Sequence, residues 1–218
     1  MKHFAVLAAF FLLPAAAVLG QDKQQAVKLY SDGKYNDALA LYNKLIGVND
    51  KDTDSYFGRG MVEMALLDYS AAIKDFKKVT RLNPADADAF LNKGVAEHKS
   101  GLNTDAMSDI NRSIELRPDY ANAYNYRGNV YYALADTVKA LQDYDKAIQL
   151  DSASSDGYFN RAYVEIDLKK YQDAVNDLTQ SLMINKNDAP TFFYRGLALD
   201  DMKKFRDAAG DYNSAIQI

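Results

Sequence analysis

Side chains able to do covalent or metal chemistry are scarce in this chain. Cysteine is absent and the 2 histidines are His3 and His98. That removes a thiolate nucleophile, disulfides and cysteine-ligated zinc or iron–sulfur centres. His98 could serve as a general base, but no nucleophile or metal partner accompanies it, so it is expected as a surface or groove contact. Asp50, Asp52 and Asp54 alternate as in a calcium loop, yet Ser55 stands at the turn glycine and Met61 at the closing glutamate, so an EF-hand fails. The expected role there is a solvated turn that caps a helix. Gly58-Arg59-Gly60 lacks the strand and the third glycine of a nucleotide fingerprint. Asn111-Arg112-Ser113 is a glycosylation sequon within a helical stretch, where no glycan is expected. No catalytic, cofactor-binding or metal-ligating residue is expected, and no enzyme.

The richer pattern is charge at fixed spacing. Arg59, Lys93, Arg127, Arg161 and Arg195 are each followed sixteen residues later by Asp75, Asp109, Asp143, Asp177 and Asp211. At the equivalent earlier place both partners change together, to Gln25 and Leu41. Glu63, Glu97 and Glu165 stand one helical turn after three of the cations. Such a series could be a chain of binding charges. A feature that recurs with a repeat belongs first to the repeat, so these ten residues are expected as structural ion pairs that fix the register of each hairpin.

The elements that position these charges follow from one period. Ala38, Ala72, Ala106, Ala140, Ala174 and Ala208 are 34 residues apart with no insertion. Four residues after each stands a bulky side chain: Tyr42, Phe76, Ile110, Tyr144, Leu178, Tyr212. Twelve before each stands a small one: Ala26, Gly60, Gly94, Gly128, Ala162, Gly196. Within 121–154, Tyr124, Gly128 and Tyr131 share one helix face. Ala140, Leu141, Tyr144, Ala147 and Ile148 share a second, and Ala135-Asp136-Thr137 divides them. Pro84 and Pro118 fall where one hairpin ends, and Gly33 and Gly101 mark tight turns inside their units. Six helical hairpins are predicted, at about 21–52, 53–86, 87–120, 121–154, 155–188 and 189–218. A small residue at each crossing lets the two backbones approach, and an aromatic fills the remaining space.

Tyr124-Asn125-Tyr126-Arg127-Gly128 and Ala140-Leu141-Gln142-Asp143-Tyr144-Asp145-Lys146-Ala147-Ile148 resemble the tetratricopeptide repeat, a 34-residue helix–turn–helix. The resemblance implies an all-α, right-handed superhelical solenoid of antiparallel helix pairs. It implies that the first helices line a concave groove that holds peptide segments. Helical spacing then points Phe57, Met61 and Met64; Leu91, Val95 and His98; Asn125, Asn129 and Tyr132; Phe159, Tyr163 and Ile166; and Phe193, Leu197 and Asp200 into that groove. Asp54, Asp88, Asn122 and Asp156 lie at its rim. The wall is expected to be aromatic at both ends and amide-rich in the middle, fit for an amphipathic helix or extended peptide with apolar anchors. The same side chains could instead pack between hairpins, the amides being the ones most suited to the surface. The lysine–asparagine clamp by which some family members grip a C-terminal carboxylate is not expected. Its matching positions are Lys23, Val27, Gly58, Asp88 and Asn92, and Asp88 would repel such a ligand.

Composition sets the remaining bounds. With 48% hydrophobic and 26% charged residues in 218, the chain is composed like a folded protein. A formal charge of −4 argues against a nucleic-acid partner. Residues 1–20 place Lys2 before a mostly apolar run that ends in small residues. This reads as a secretory signal peptide cleaved before Gln21, which leaves no stable membrane insertion and a periplasmic or secreted product. The last unit stops at Ile218 without a polar cap and leaves Tyr212 and Ile216 near an uncovered face. The expected function is a non-catalytic, cofactor-free protein-interaction scaffold of the bacterial cell envelope that binds a peptide or protein segment. The alternative is a self-assembling adaptor, a homo-oligomer through the C-terminal face, and an enzyme accessory role is remote.

Overall fold

The computed structural model describes residues 15–218. Among them twelve α-helices alternate with short turns. They are α1 (Ala15–Ser31), α2 (Tyr35–Val48), α3 (Thr53–Ala65), α4 (Tyr69–Leu82), α5 (Ala87–Lys99), α6 (Asn103–Leu116), α7 (Ala121–Ala133), α8 (Thr137–Leu150), α9 (Ser155–Asp167), α10 (Tyr171–Ile184), α11 (Ala189–Asp201) and α12 (Phe205–Gln217). Each odd helix packs on the even helix after it, and within each of two compact units the hairpins stack in chain order. The fold is an all-α solenoid of helix pairs. One unit ends at Asn83 and the other begins at Pro84.

The expected leader falls largely outside the described residues. Its last six positions belong to α1, so the expected cleavage point before Gln21 lies inside that helix. Leu19 packs against the first core cluster, built from Ala26, Ala38, Tyr42, Leu45 and Val62.

Six turns inside the hairpins share one geometry. The residue at Gly33, Leu67, Gly101, Ala135, Lys169 and Lys203 has φ between 59° and 80°. A 6→1 backbone hydrogen bond closes each turn, as from Asp136 N to Tyr131 O and from Lys170 N to Glu165 O, both 2.8–2.9 Å. This is the Schellman termination of a helix. Four of the six positions carry a side chain in a backbone region that favours glycine. Helix starts are secured by aspartate caps: Asp68, Asp86, Asp136 and Asp188 accept from the backbone N–H three residues on.

The crossing of each hairpin depends on its small residue. A Cβ added at Gly128 would lie 2.5 Å from the Tyr144 ring. Tyr144 is 1% exposed and its hydroxyl donates to Asn129 Oδ1 at 2.8 Å, so the ring cannot yield. The bulky side chain that fills the crossing thus comes from the second helix of the same hairpin, as Phe76 does at Gly60, Ile110 at Gly94 and Tyr212 at Gly196.

Candidate functional site

The five cations and five aspartates meet inside their hairpins. Asp75 accepts from Arg59 Nε and Nη2 at 2.6 and 2.7 Å, and Asp143 from Arg127 at 2.7 and 2.8 Å. Asp177 and Asp211 grip Arg161 and Arg195 by the same two-pronged geometry, and Lys93 reaches Asp109 at 2.6 Å. Two parallel charged hydrogen bonds make each arginine pair directional as well as strong. The aspartates are 5–9% exposed. These charges are spent inside the protein and are not offered to a ligand.

Sequence reasoning missed a third arm of this ladder. Arg59 Nη1 donates to Asn43, Arg127 Nη1 to Asn111, Arg161 Nη1 to Asp145 and Arg195 Nη1 to Thr179. Each acceptor lies sixteen residues before its arginine, on the preceding hairpin. The signal was present as a column of side chains able to accept, but only the column after the cation was read.

Three glutamates stand one helical turn after the cation in their hairpins. Glu63 Oε1 is 3.8 Å from Arg59, and Glu97 Oε1 is 3.4 Å from Lys93. The other oxygen of Glu63, Glu97 and Glu165 is buried without a hydrogen-bond partner. Burial, then the neighbouring aspartate, pushes Glu63 and Glu165 up to about 7 and Glu97 to about 8.

The expected groove residues divide in two. In the first unit Phe57, Met61 and Met64 are half-buried, with Phe57 edge-on to Phe76 at 5.5 Å. In the second unit Leu91 and Val95 are 3% and 6% exposed and pack inside. Asn125, expected at the surface, is 6% exposed and accepts from Asn160 Nδ2 at 3.0 Å. Interior partners replace water for this amide. Asn129 is half-buried and taken by Tyr144, and His98 Nδ1 lies 2.7 Å from Asn103 Oδ1. The amide-rich middle is therefore closed rather than open.

What remains available is aromatic, apart from the exposed Asp200. Tyr163 is 37% exposed and Phe193 is 48% exposed, while Tyr132, Phe159, Ile166 and Leu197 are half-buried. Tyr194, which spacing did not single out, joins them: its ring lies 5.6 Å from Phe159, 5.2 Å from Tyr163 and 5.4 Å from Phe193. Edge-to-face contact of this kind makes a rigid apolar wall. The wall ends in a cavity of about 680 Å³ lined by Ala189, Pro190, Phe193, Tyr194, Tyr212, Ala215 and Ile216.

The clamp and calcium positions are occupied from within. Lys23 donates to Asp52 and Asp54 at 2.8 and 3.2 Å. Asp52 is the N-cap residue of α3 but accepts from the Ser55 hydroxyl instead of a backbone N–H. Asp88 is bound by both terminal nitrogens of Arg117 and by the Tyr120 hydroxyl, so its charge is balanced. Among the described residues no group of acids or histidines is placed to hold a metal ion.

Models of the tetratricopeptide repeat match residues 57–121, 121–153 and 155–188. The chain belongs to the tetratricopeptide repeat family. No curated protein matches its sequence. Among solved structures it is similar to MamA, at 22% identity and a TM-score of 0.63 over 74% of this chain and 94% of that one. A thermophilic tetratricopeptide repeat protein of Thermus thermophilus gives 19%, 0.72, 83% and 98% in the same order. YrrB, described as having an unusual peptide-binding site, gives 21%, 0.60, 84% and 90%. At these identities the likeness is one of fold.

Proposed function

We propose that this tetratricopeptide repeat protein is a non-catalytic scaffold of the bacterial cell envelope that holds a peptide or protein segment against the inner faces of its first helices. The observation that carries the reading is the partly exposed ring wall of Phe159, Tyr163, Phe193 and Tyr194 beside an apolar cavity. Rigid aromatic area adjoining a concave apolar site is the usual make-up of a binding hot spot. The fold is shared with YrrB, whose own peptide-binding site is named as such. Export is supported by the composition of residues 1–20. Among the described residues no helix is long and apolar enough to cross a membrane.

Photo-crosslinking from position 163 in living cells tests the reading. A discrete adduct that disappears with Phe193→Asp supports it, and no adduct from either 163 or 193 rejects it.

A second reading draws on Ile216, which is 82% exposed at the cavity. There α12 would take a helix from another copy. Light scattering of the wild type against Ile216→Lys decides it: a dimer lost in the variant supports self-association, and a monomer at high concentration removes it.

A further inference from the structure

Five rings of the second unit are in serial contact. Tyr132 lies 5.9 Å from Tyr163, Tyr163 5.2 Å from Tyr194, Tyr194 5.4 Å from Phe193, and Phe193 5.8 Å from Tyr212. The helices that carry most of this row, α7, α9 and α11, hold three cations. These are Arg127, Arg161 and Arg195, and each is locked on an aspartate.

The same helices carry exposed acids. Asp167, Asp200 and Asp201 are exposed, and none of them is in an ion pair with another of the described residues. Asp167 accepts from the Tyr132 hydroxyl, which fixes a carboxylate against the ring row. Asp200 and Asp201 are the last two residues of α11, the helix that carries Phe193 and Tyr194, and their charges, after burial, hold the Tyr212 hydroxyl above its ordinary value. Lys169, Lys170, Lys203 and Lys204 follow in the turns, and none forms an ion pair with these acids; Lys204 extends towards Gln172. Aromatic faces attract cations through their quadrupoles. Carboxylates at the edge add a longer-range field of the same sense.

We infer that the segment bound by the second unit is cationic as well as apolar, with an apolar side chain in the cavity at Phe193, Tyr212 and Ile216 and a lysine or arginine on the ring row beside Asp167, Asp200 and Asp201. This rests on the groove reading and names the chemistry of its ligand. An acidic segment meets a surface of its own sign, and a purely apolar one leaves the carboxylates without a counter-charge.

Selection of short random peptides displayed on phage against the purified protein tests it. The wild type should enrich lysine or arginine next to a leucine, phenylalanine or similar anchor. The variant D167N/D200N/D201N, altered only at exposed positions, should keep the anchor and lose the cation. A fluorescein-labelled selected peptide should bind that variant about tenfold more weakly and with less salt dependence. Asp200→Lys alone should weaken the same peptide, with helical circular dichroism unchanged. Selected peptides without cations, or equal affinity for the wild type and the triple variant, overturn the inference while leaving the groove reading intact. An empty selection overturns both.

Discussion

At Arg127 the guanidinium makes three directional bonds, two to Asp143 and one to Asn111, with Asp143 only 6% exposed. Removing one partner strands a buried charge, so Arg127→Met should cost about 3–5 kcal/mol. Arg127→Met with Asp143→Leu should recover most of that loss. Urea denaturation of the four members of the cycle reads the coupling, and strictly additive losses would break the pairing as an energetic unit. The glutamates behave in the opposite sense. Glu97 keeps its proton to about pH 8 when folded against an ordinary 4.5. The unfolded chain releases that proton first, so stability falls as pH rises from about 4.5 to about 8 and is level outside that window. Glu63 and Glu165 act the same way up to about 7. Melting temperature measured from pH 5 to pH 8 should fall less for E63Q/E97Q/E165Q than for the wild type. The glutamine amide also supplies a donor where a buried oxygen stands alone. The pairs themselves were legible because both members vary on one period, and vanish together at Gln25 and Leu41. The closure of Asn125 was not legible: its partner Asn160 lies thirty-five residues away, and no periodic column announces it.

Helices and turns obey the repeat more strictly than their residues do. Two turn positions declare themselves as Gly33 and Gly101, while Leu67, Ala135, Lys169 and Lys203 adopt the same left-handed backbone without glycine. Local propensity would not have placed them there. The Schellman hydrogen bonds and the packing of both helices do. Ala135→Gly or Lys169→Gly should therefore stabilise the protein by about 0.5–1 kcal/mol, the relief of strain exceeding the added freedom of the unfolded chain. A lower midpoint in urea for both variants would contradict this. The opposite substitution belongs to the crossings. Gly128→Ala drives a methyl into a ring that is already bonded and buried, and should cost about 1–3 kcal/mol by the same measurement. Tyr194 escaped notice at this scale because its column reads Gln24, Gly58, Asn92, Tyr126 and Asn160 in the other units, with no one residue type throughout.

For the whole molecule, the hairpin count and the all-α class were readable from one uninterrupted period, since a solenoid repeats its packing as it repeats its sequence. The ligand-facing surface was readable only in part. Spacing finds which residues leave a helix on one side, but it cannot tell which of them a neighbouring hairpin covers. Leu91 and Asn125 were covered, and Tyr163 and Phe193 were not.

The backward-reaching donor of each arginine differs in what it finds. Arg161 meets the carboxylate of Asp145 at 2.6 Å, whereas Arg195 meets only the hydroxyl of Thr179 at 3.2 Å. In a quasi-linear array, opening starts where the link between neighbours is weakest. The hairpin of α11 and α12 is therefore the most loosely fastened of the second unit: its amides should exchange with deuterium before those of α7 to α10, and Thr179→Asp should slow that exchange. The segment that carries half of the aromatic wall is the one the array releases first.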